Sequence, residues 1–266
     1  MEKSLNIIDF ENIHVSYDIE PILKEINLKV KSGEHLAILG ANGSGKTTLM
    51  KLFSNDLYPN VKYPFKKEIF GHQRWSIFEL KKKLGIITND LHNYFEKQGT
   101  FLNGYEVVLS GYYSSIGIFG HQDFSDNWHK KAVETMEFME IFNLKDKLVS
   151  NMSTGELRKC IIARALIHNP EAFVLDEPTS GLDIKAQISF IKLLRKLSKK
   201  ATIILITHHI EEIFKEIKNV ALIYEKSIYK YGDKKKILTS KNLSKIFDMK
   251  LSLQCQNERY FYDKVE

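Results

Sequence analysis

Two hydrophobic patterns alternate along this chain. Near the start, IIDFENIHVSY (residues 7–17) and ILKEINLKV (residues 22–30) alternate apolar and polar residues. A period of two marks a strand with one buried face. The second run ends at Lys31-Ser32-Gly33, a turn signal. HLAILG (residues 35–40) is nearly continuously apolar, the pattern of a buried parallel strand, and TTLMKLF just beyond it reads as a helix. KLGIIT, AFVLD and TIILIT are further strand runs, with a helix predicted from about Ile184 to Leu197 between the last two. From about residue 103 to 167 helical patterns dominate: GYEVVLSGYY, WHKKAVETMEFMEIF and TGELRKCIIARALI. In the second of these, Val133, Met136, Met139 and Phe142 are spaced for one buried stripe and read as core filling. NVALIY and SIYKY read as a closing hairpin across Glu225-Lys226. The tail beyond residue 233 predicts a short helix, NLSKIF, and one or two weak strands. There are five prolines, no low-complexity linker and no internal repeat. The expected fold is α/β: one domain, with a helical block inserted into a parallel α/β core.

Composition changes this picture little. The 266 residues are 43% hydrophobic, enough for a sizeable core, which excludes disorder as the default. Net charge is +6 and the sequence pI is about 9.0. Lysine runs at 66–67, 81–83, 199–200 and 234–236 supply much of it and read as solvated faces and loop ends. Contact with anionic lipid or nucleic acid is the alternative. Cys160 and Cys255 have no partner at metal-ligand spacing and read as ordinary thiols. The stretch MEKSLNIIDFEN has no apolar h-region, so no signal peptide is expected. No apolar run approaches the length needed to cross a bilayer, so action at a membrane would require spanning segments from other chains.

The chemistry is concentrated in a few stretches. GANGSGKTT (residues 40–48) fits G-x-x-x-x-G-K-[ST], and it lies between a strand and a helix, the context a phosphate-binding loop needs. Gly40, Gly43 and Gly45 let the backbone turn and aim N–H groups at phosphate oxygens. Lys46 reaches the β/γ-phosphates and Thr47 offers a hydroxyl to Mg²⁺; Asn42, Ser44 and Thr48 complete the candidate nucleotide-binding loop. AFVLDEP ends a buried strand with Asp176, a candidate metal ligand, followed by Glu177, which could orient and deprotonate an attacking water. In MSTGELRK, Ser153 with Glu156 forms a capping box at a helix start. Beside a complete phosphate loop, Ser153 and Gly155 also read as a second anion site at that helix N-terminus.

These motifs, with SGLD (residues 180–183) and ILITHH, resemble the ATP-binding cassette (ABC) ATPases over nearly the whole chain. GANGSGKT is similar to Walker A, VLDE to Walker B, MSTGE to the signature motif, SGLD to the D-loop, and His208 to the switch histidine. The resemblance implies a P-loop NTPase fold with a RecA-like core, an N-terminal antiparallel β subdomain and an inserted helical subdomain. It implies one domain over 1–266, with a core of about 1–90 and 168–266 and a helical subdomain of about 91–167. Lys46, Glu177 and His208 would be catalytic. Two cassettes would pair head to tail, with Ser153 and Gly155 on the γ-phosphate held by the partner's loop and Asp183 coupling the two sites. ATP and Mg²⁺ would be the ligands. A second cassette (a homodimer or a paralogue), transmembrane permease subunits and a solute-binding protein would be the partners. The location would be the cytoplasmic face of the cell membrane.

Departures from the family pattern are Met152, Thr154 and Glu156 in the signature, where Leu, Gly and Gln are usual, and Asn89, where a glutamine contacting Mg²⁺ or water is usual. Asn89 reads either as that contact or as a turn former. Tyr17 stands where the family places an adenine-stacking aromatic; a hairpin core residue is the alternative. His209 has no assigned role. The leading expectation is a transporter ATPase. A soluble cassette with a regulatory, translation-linked or nucleic-acid-linked role is its rival, and an ATP-binding cassette without turnover is a third reading.

Overall fold

The computed structural model describes residues 6–18 and 20–264. Residues 1–5, on which part of the signal-peptide expectation falls, lie outside the described residues. Along the chain run β1 (Asn6–Tyr17), β2 (Glu20–Lys31), β3 (Leu36–Leu39), α1 (Lys46–Phe53), β4 (Lys66–Ile69), α2 (Ile77–Lys83), β5 (Leu84–Ile87) and α3 (Asn89–Gln98). Then follow α4 (Gly104–Leu109), α5 (Asp126–Phe138), α6 (Thr154–Leu166), β6 (Ala172–Asp176), α7 (Ile184–Leu197) and β7 (Thr202–Thr207). β8 (Asn219–Tyr224), β9 (Ser227–Asp233), α8 (Lys234–Ile237), α9 (Ser240–Phe247), β10 (Leu251–Gln256) and β11 (Arg259–Lys264) close the chain.

Two compact units result. The first comprises Met1–Ile77, Val174–Glu177 and Ser198–Glu266; the second comprises Phe78–Phe173 and Pro178–Leu197. In the first unit β2, β1 and β4 form an antiparallel sheet. The alternation read in β1 and β2 holds at Ile13 and Val15 and at Ile26, Leu28 and Val30, whereas Ile7, Ile8, Asp9 and Phe10 are buried in succession, on both faces of β1. β3 lies between β7 and β8, parallel to both, and β9 pairs antiparallel with β8. β7 is buried along its length, as is β3, which is why both read as unbroken apolar runs. β10 and β11 form a hairpin, fastened by a Glu258–Lys215 ion pair at 2.8 Å.

In the second unit α6 is the central element, with Leu157, Cys160, Ile161, Ile162 and Ala163 all buried. Gly85 of β5 lets that strand approach Phe173, whose ring carbons would stand 2.5 Å from a Cβ at position 85. The stripe expected on α5 is met at Met136 and Met139, both fully buried, and missed at its two ends, Val133 and Phe142. The helix ends at Phe138, so Phe142 falls beyond it and is 45% exposed. The buried positions are Ala132, Thr135, Met136 and Met139, because the helical face turns about 100° per residue only while the helix lasts. No helix among the described residues is long and apolar enough to cross a membrane.

Two of the lysine runs are not solvated as expected. Lys66 and Lys67 lie in β4, where successive side chains take opposite faces. Lys66 pairs with Asp9 at 2.8 Å, whereas Lys67 is 4% exposed, donates to Asn55 Oδ1 and stacks over the Tyr58 ring. Lys234 is buried and donates to the Phe214 carbonyl at 3.2 Å. Burial pushes the Lys67 ammonium down from 10.5 to about 8, partly opposed by Asp56. Below pH 8 the lysine is charged in both folded and unfolded chains, and its desolvation counts against the fold. Between pH 8 and 10.5 the folded chain releases the proton first, so stability rises with pH, by on the order of 2–3 kcal/mol from this group. Urea unfolding at pH 7.5 and 10 is expected to show this rise in the native chain and not in Lys67→Met. Parallel pH profiles for the two would refute it.

Candidate active site

The glycine-rich loop follows β3 directly. Gly43 and Gly45 take positive φ, 77° and 105°, which only glycine adopts without strain. At Gly45 a Cβ would also stand 2.7 Å from the Leu23 side chain, and at Gly40 one would stand 2.6 Å from Ser44 Oγ and 3.0 Å from the Ile223 carbonyl. Gly45 caps α1, whose first residues are Lys46, Thr47 and Thr48. The N–H groups of that first turn have no intrahelical acceptors and carry the positive end of the helix dipole. Ser44 Oγ is buried without a hydrogen-bond partner, an orphan that a phosphate oxygen would satisfy. Asn42 is exposed on the loop and Thr48 is buried.

Lys46 is 6% exposed, and its Nζ donates to the Gly40 and Ala41 carbonyls, each at 2.9 Å. Its ammonium is pushed below the ordinary lysine value by burial, with Glu177 and Asp176 pulling the other way. Glu177 Oε1 lies 4.0 Å from Lys46 Nζ and accepts from His208 Nδ1 at 2.7 Å. Because a carboxylate only accepts, that bond places a proton on Nδ1 of His208. Glu177 itself sits in left-handed backbone, φ 47°, and its N–H donates to the Ile206 carbonyl at 2.8 Å. For a glutamate this conformation costs on the order of 1–2 kcal/mol; Glu25, Glu140, Glu225 and Glu258 share it. The His209 ring lies 3.9 Å from that of His208. The first unit thus brings together Lys46, Glu177 and His208. Asp176 acts on the same lysine, and Thr47 is exposed in the first turn of α1. A hydroxyl and a carboxylate are the hard oxygen donors that suit Mg²⁺. Tyr17 ends β1 at 46% exposure, which removes the core alternative.

The second unit carries the other candidates. Ser153 caps α6: its Oγ accepts from the Glu156 N–H at 3.3 Å, and Glu156 Oε2 accepts from the Ser153 N–H at 2.7 Å. Lys147 holds both Glu156 oxygens, at 2.8 and 2.9 Å. The capping box is thus formed, and the Ser153 hydroxyl keeps its own hydrogen to donate. Asp183 Oδ1 accepts from the Ala186 N–H at 2.7 Å and caps the start of α7. Asn89 is the first residue of α3, behind the capping Thr88, and its Oδ1 accepts from Arg158 Nη2 at 3.1 Å. Sequence reasoning passed over Arg158. Its burial on α6 is what shows that it needs partners, and that burial is visible only in the structure.

The ABC transporter family profile matches residues 23–180. The chain is 29% identical over 266 residues to the uncharacterized ABC transporter ATP-binding protein YlmA of Bacillus subtilis, spanning 98% of each. It is 35% identical over 206 residues to the ABC transporter ATP-binding protein ModF of Escherichia coli, spanning 74% of this chain and 40% of ModF. Among solved structures, an inward-facing metal-chelate-type ABC transporter aligns with a TM-score of 0.77 at 23% identity, over 98% of this chain and 97% of that one.

Proposed function

The chain belongs to the ABC transporter family and is an ATPase, and from that premise we propose that it powers a membrane transporter as one of two cassettes closing head to tail. We read the chain as a single cassette, with a core of about 1–90 and 168–266 and a helical subdomain of about 91–167. The observation that carries the reading is Glu177, held by His208 and facing Lys46 at the end of the phosphate loop. Lys46 and the α1 N-terminus bind the terminal phosphates. Glu177 orients water and takes its proton; His208 keeps that carboxylate in place. Thr47 and Asp176 are the residues that would hold Mg²⁺, which when bound neutralises phosphate charge. Tyr17 supplies a face for the adenine.

Gly155 supports pairing with a second cassette. A Cβ there would meet only Leu182 and Ala186, at ordinary distances of 3.5 and 3.7 Å. Gly155 is the second residue of α6, and packing among the described residues does not demand a glycine there. Bare backbone at this point suits a ligand from outside the chain, and the γ-phosphate held by a partner cassette fits. The pair would sit on the cytoplasmic face of the membrane against permease subunits. Import, with a solute-binding protein, is the direction we favour, because GDKKKILTSKNLSKIFDMKL resembles the tail of ATPases serving metal-chelate importers. A nucleic-acid role draws less from the basic charge now that Lys67 and Lys234 are buried.

Detergent extraction of the chain from its native membranes tests the proposal. A polytopic membrane protein is expected to co-purify, and ATP turnover of the complex is expected to stop with EDTA and return with Mg²⁺. Co-purification with ribosomes, or nucleic-acid binding lost at high salt, would overturn it.

A further inference from the structure

Arg158 lies on α6 shortly beyond Ser153 and Gly155, and it is 5% exposed. A buried guanidinium is tolerated only where its donors are met. Its Nη1 donates to the Pro178 and Ser180 carbonyls, both at 2.8 Å, and its Nη2 donates to Asn89 Oδ1 at 3.1 Å. These acceptors come from two separate segments. Pro178 directly follows Glu177 in the chain, and Ser180 stands three residues before Asp183. Asn89 opens α3.

We propose that Arg158 is a positioning residue for ATP hydrolysis, fixing the turn between Glu177 and Asp183 and orienting Asn89 as a hydrogen-bond donor rather than a metal ligand. The proposal rests on the assignment of Glu177 as the base. One Nη1 can reach two carbonyls separated by a single residue only while the 178–180 turn stays closed, so the guanidinium acts as a clasp on the segment leading out of Glu177. Its planar fork reaches all three oxygens at once; a lysine ammonium is a compact point charge on a flexible stem and lacks that geometry. Arginine has no acceptor, so the Asn89 atom facing it must be the carboxamide oxygen. That oxygen already lies against one cation, which disfavours a second. The Nδ2 hydrogens remain, and they suit a phosphate oxygen or a water.

Steady-state kinetics of the full chain with Mg²⁺ and ATP test this. Arg158→Met is expected to lower kcat by about 10–100-fold, the range expected for losing hydrogen bonds to a charged group, while KM for ATP moves by less than about threefold. Arg158→Lys recovers less than about a tenth of the native kcat, and it keeps the test alive if the Met variant does not fold. Combined with Asn89→Ala, the losses are expected to fall short of multiplying, because the two residues act as a unit. In Asn89→Ala alone, the Mg²⁺ concentration for half-maximal turnover stays within about twofold, since no metal ligand is lost. Native kcat in Arg158→Met, losses that multiply in full, or a tenfold rise in the Mg²⁺ requirement of Asn89→Ala would overturn the proposal. Native turnover in Glu177→Gln would instead overturn the assignment of the base.

Discussion

Replacing Glu177 with glutamine is expected to lower ATP turnover by about 10²–10⁴-fold while nucleotide binding persists. The substitution keeps the side chain's shape but removes its capacity to accept a proton from water. The residue's surroundings are arranged for a carboxylate: the His208 Nδ1 hydrogen bond at 2.7 Å, Lys46 at 4.0 Å and a left-handed backbone that aims the side chain. An amide placed there keeps an acceptor oxygen for His208. Binding should hold or tighten, because Lys46 loses a negative neighbour that competes with phosphate. Turnover measured beside equilibrium binding of labelled ATP separates the two effects. A variant that hydrolyses at the native rate would move the general base elsewhere.

Lys46→Ala is expected to fail earlier, at binding. A hydrogen bond to a charged group contributes about 1.5–3 kcal/mol, so affinity for ATP should fall by about 10–100-fold. The loss exceeds one charge. Lys46 Nζ spans the loop by donating to the Gly40 and Ala41 carbonyls, and without it those groups lose their donor and the loop its tie. Arginine should not restore binding, because a larger planar cation has no room where the lysine is 6% exposed. Calorimetric titration with ATP and Mg²⁺ reads this directly. Native affinity in Lys46→Ala would place the nucleotide outside the loop.

The strand–loop–helix unit was legible in the sequence because its signals are local and redundant. An unbroken apolar run, fixed glycines and a helical period each point to the same element, and the positive φ values at Gly43 and Gly45 are what the glycines predict. The α5 stripe was legible at Met136 and Met139, but its first position is Ala132 instead of Val133, and Phe142 lies past the end of the helix. Periodicity gives the phase of a helix but not its last residue. Lys67 was misread for a different reason: a two-lysine run in a short strand splits between opposite faces, and nothing local tells which face is covered. The cluster at Glu177 was legible as types of residue in order, but its geometry was not. His208 lies 31 positions along the chain from Glu177, and only the sheet brings them to 2.7 Å. Arg158 was invisible as a clasp because its Pro178 and Ser180 acceptors are backbone carbonyls, which carry no sequence signature.

The backbone at Glu177 has a consequence for how this chain would respond to selection. A residue with no Cβ, or asparagine, would relax the left-handed turn and make the fold easier to keep, at the expense of the reaction. Improvement judged by thermal tolerance alone would therefore drift away from glutamate at this position, and only a screen that also demands hydrolysis would hold it there.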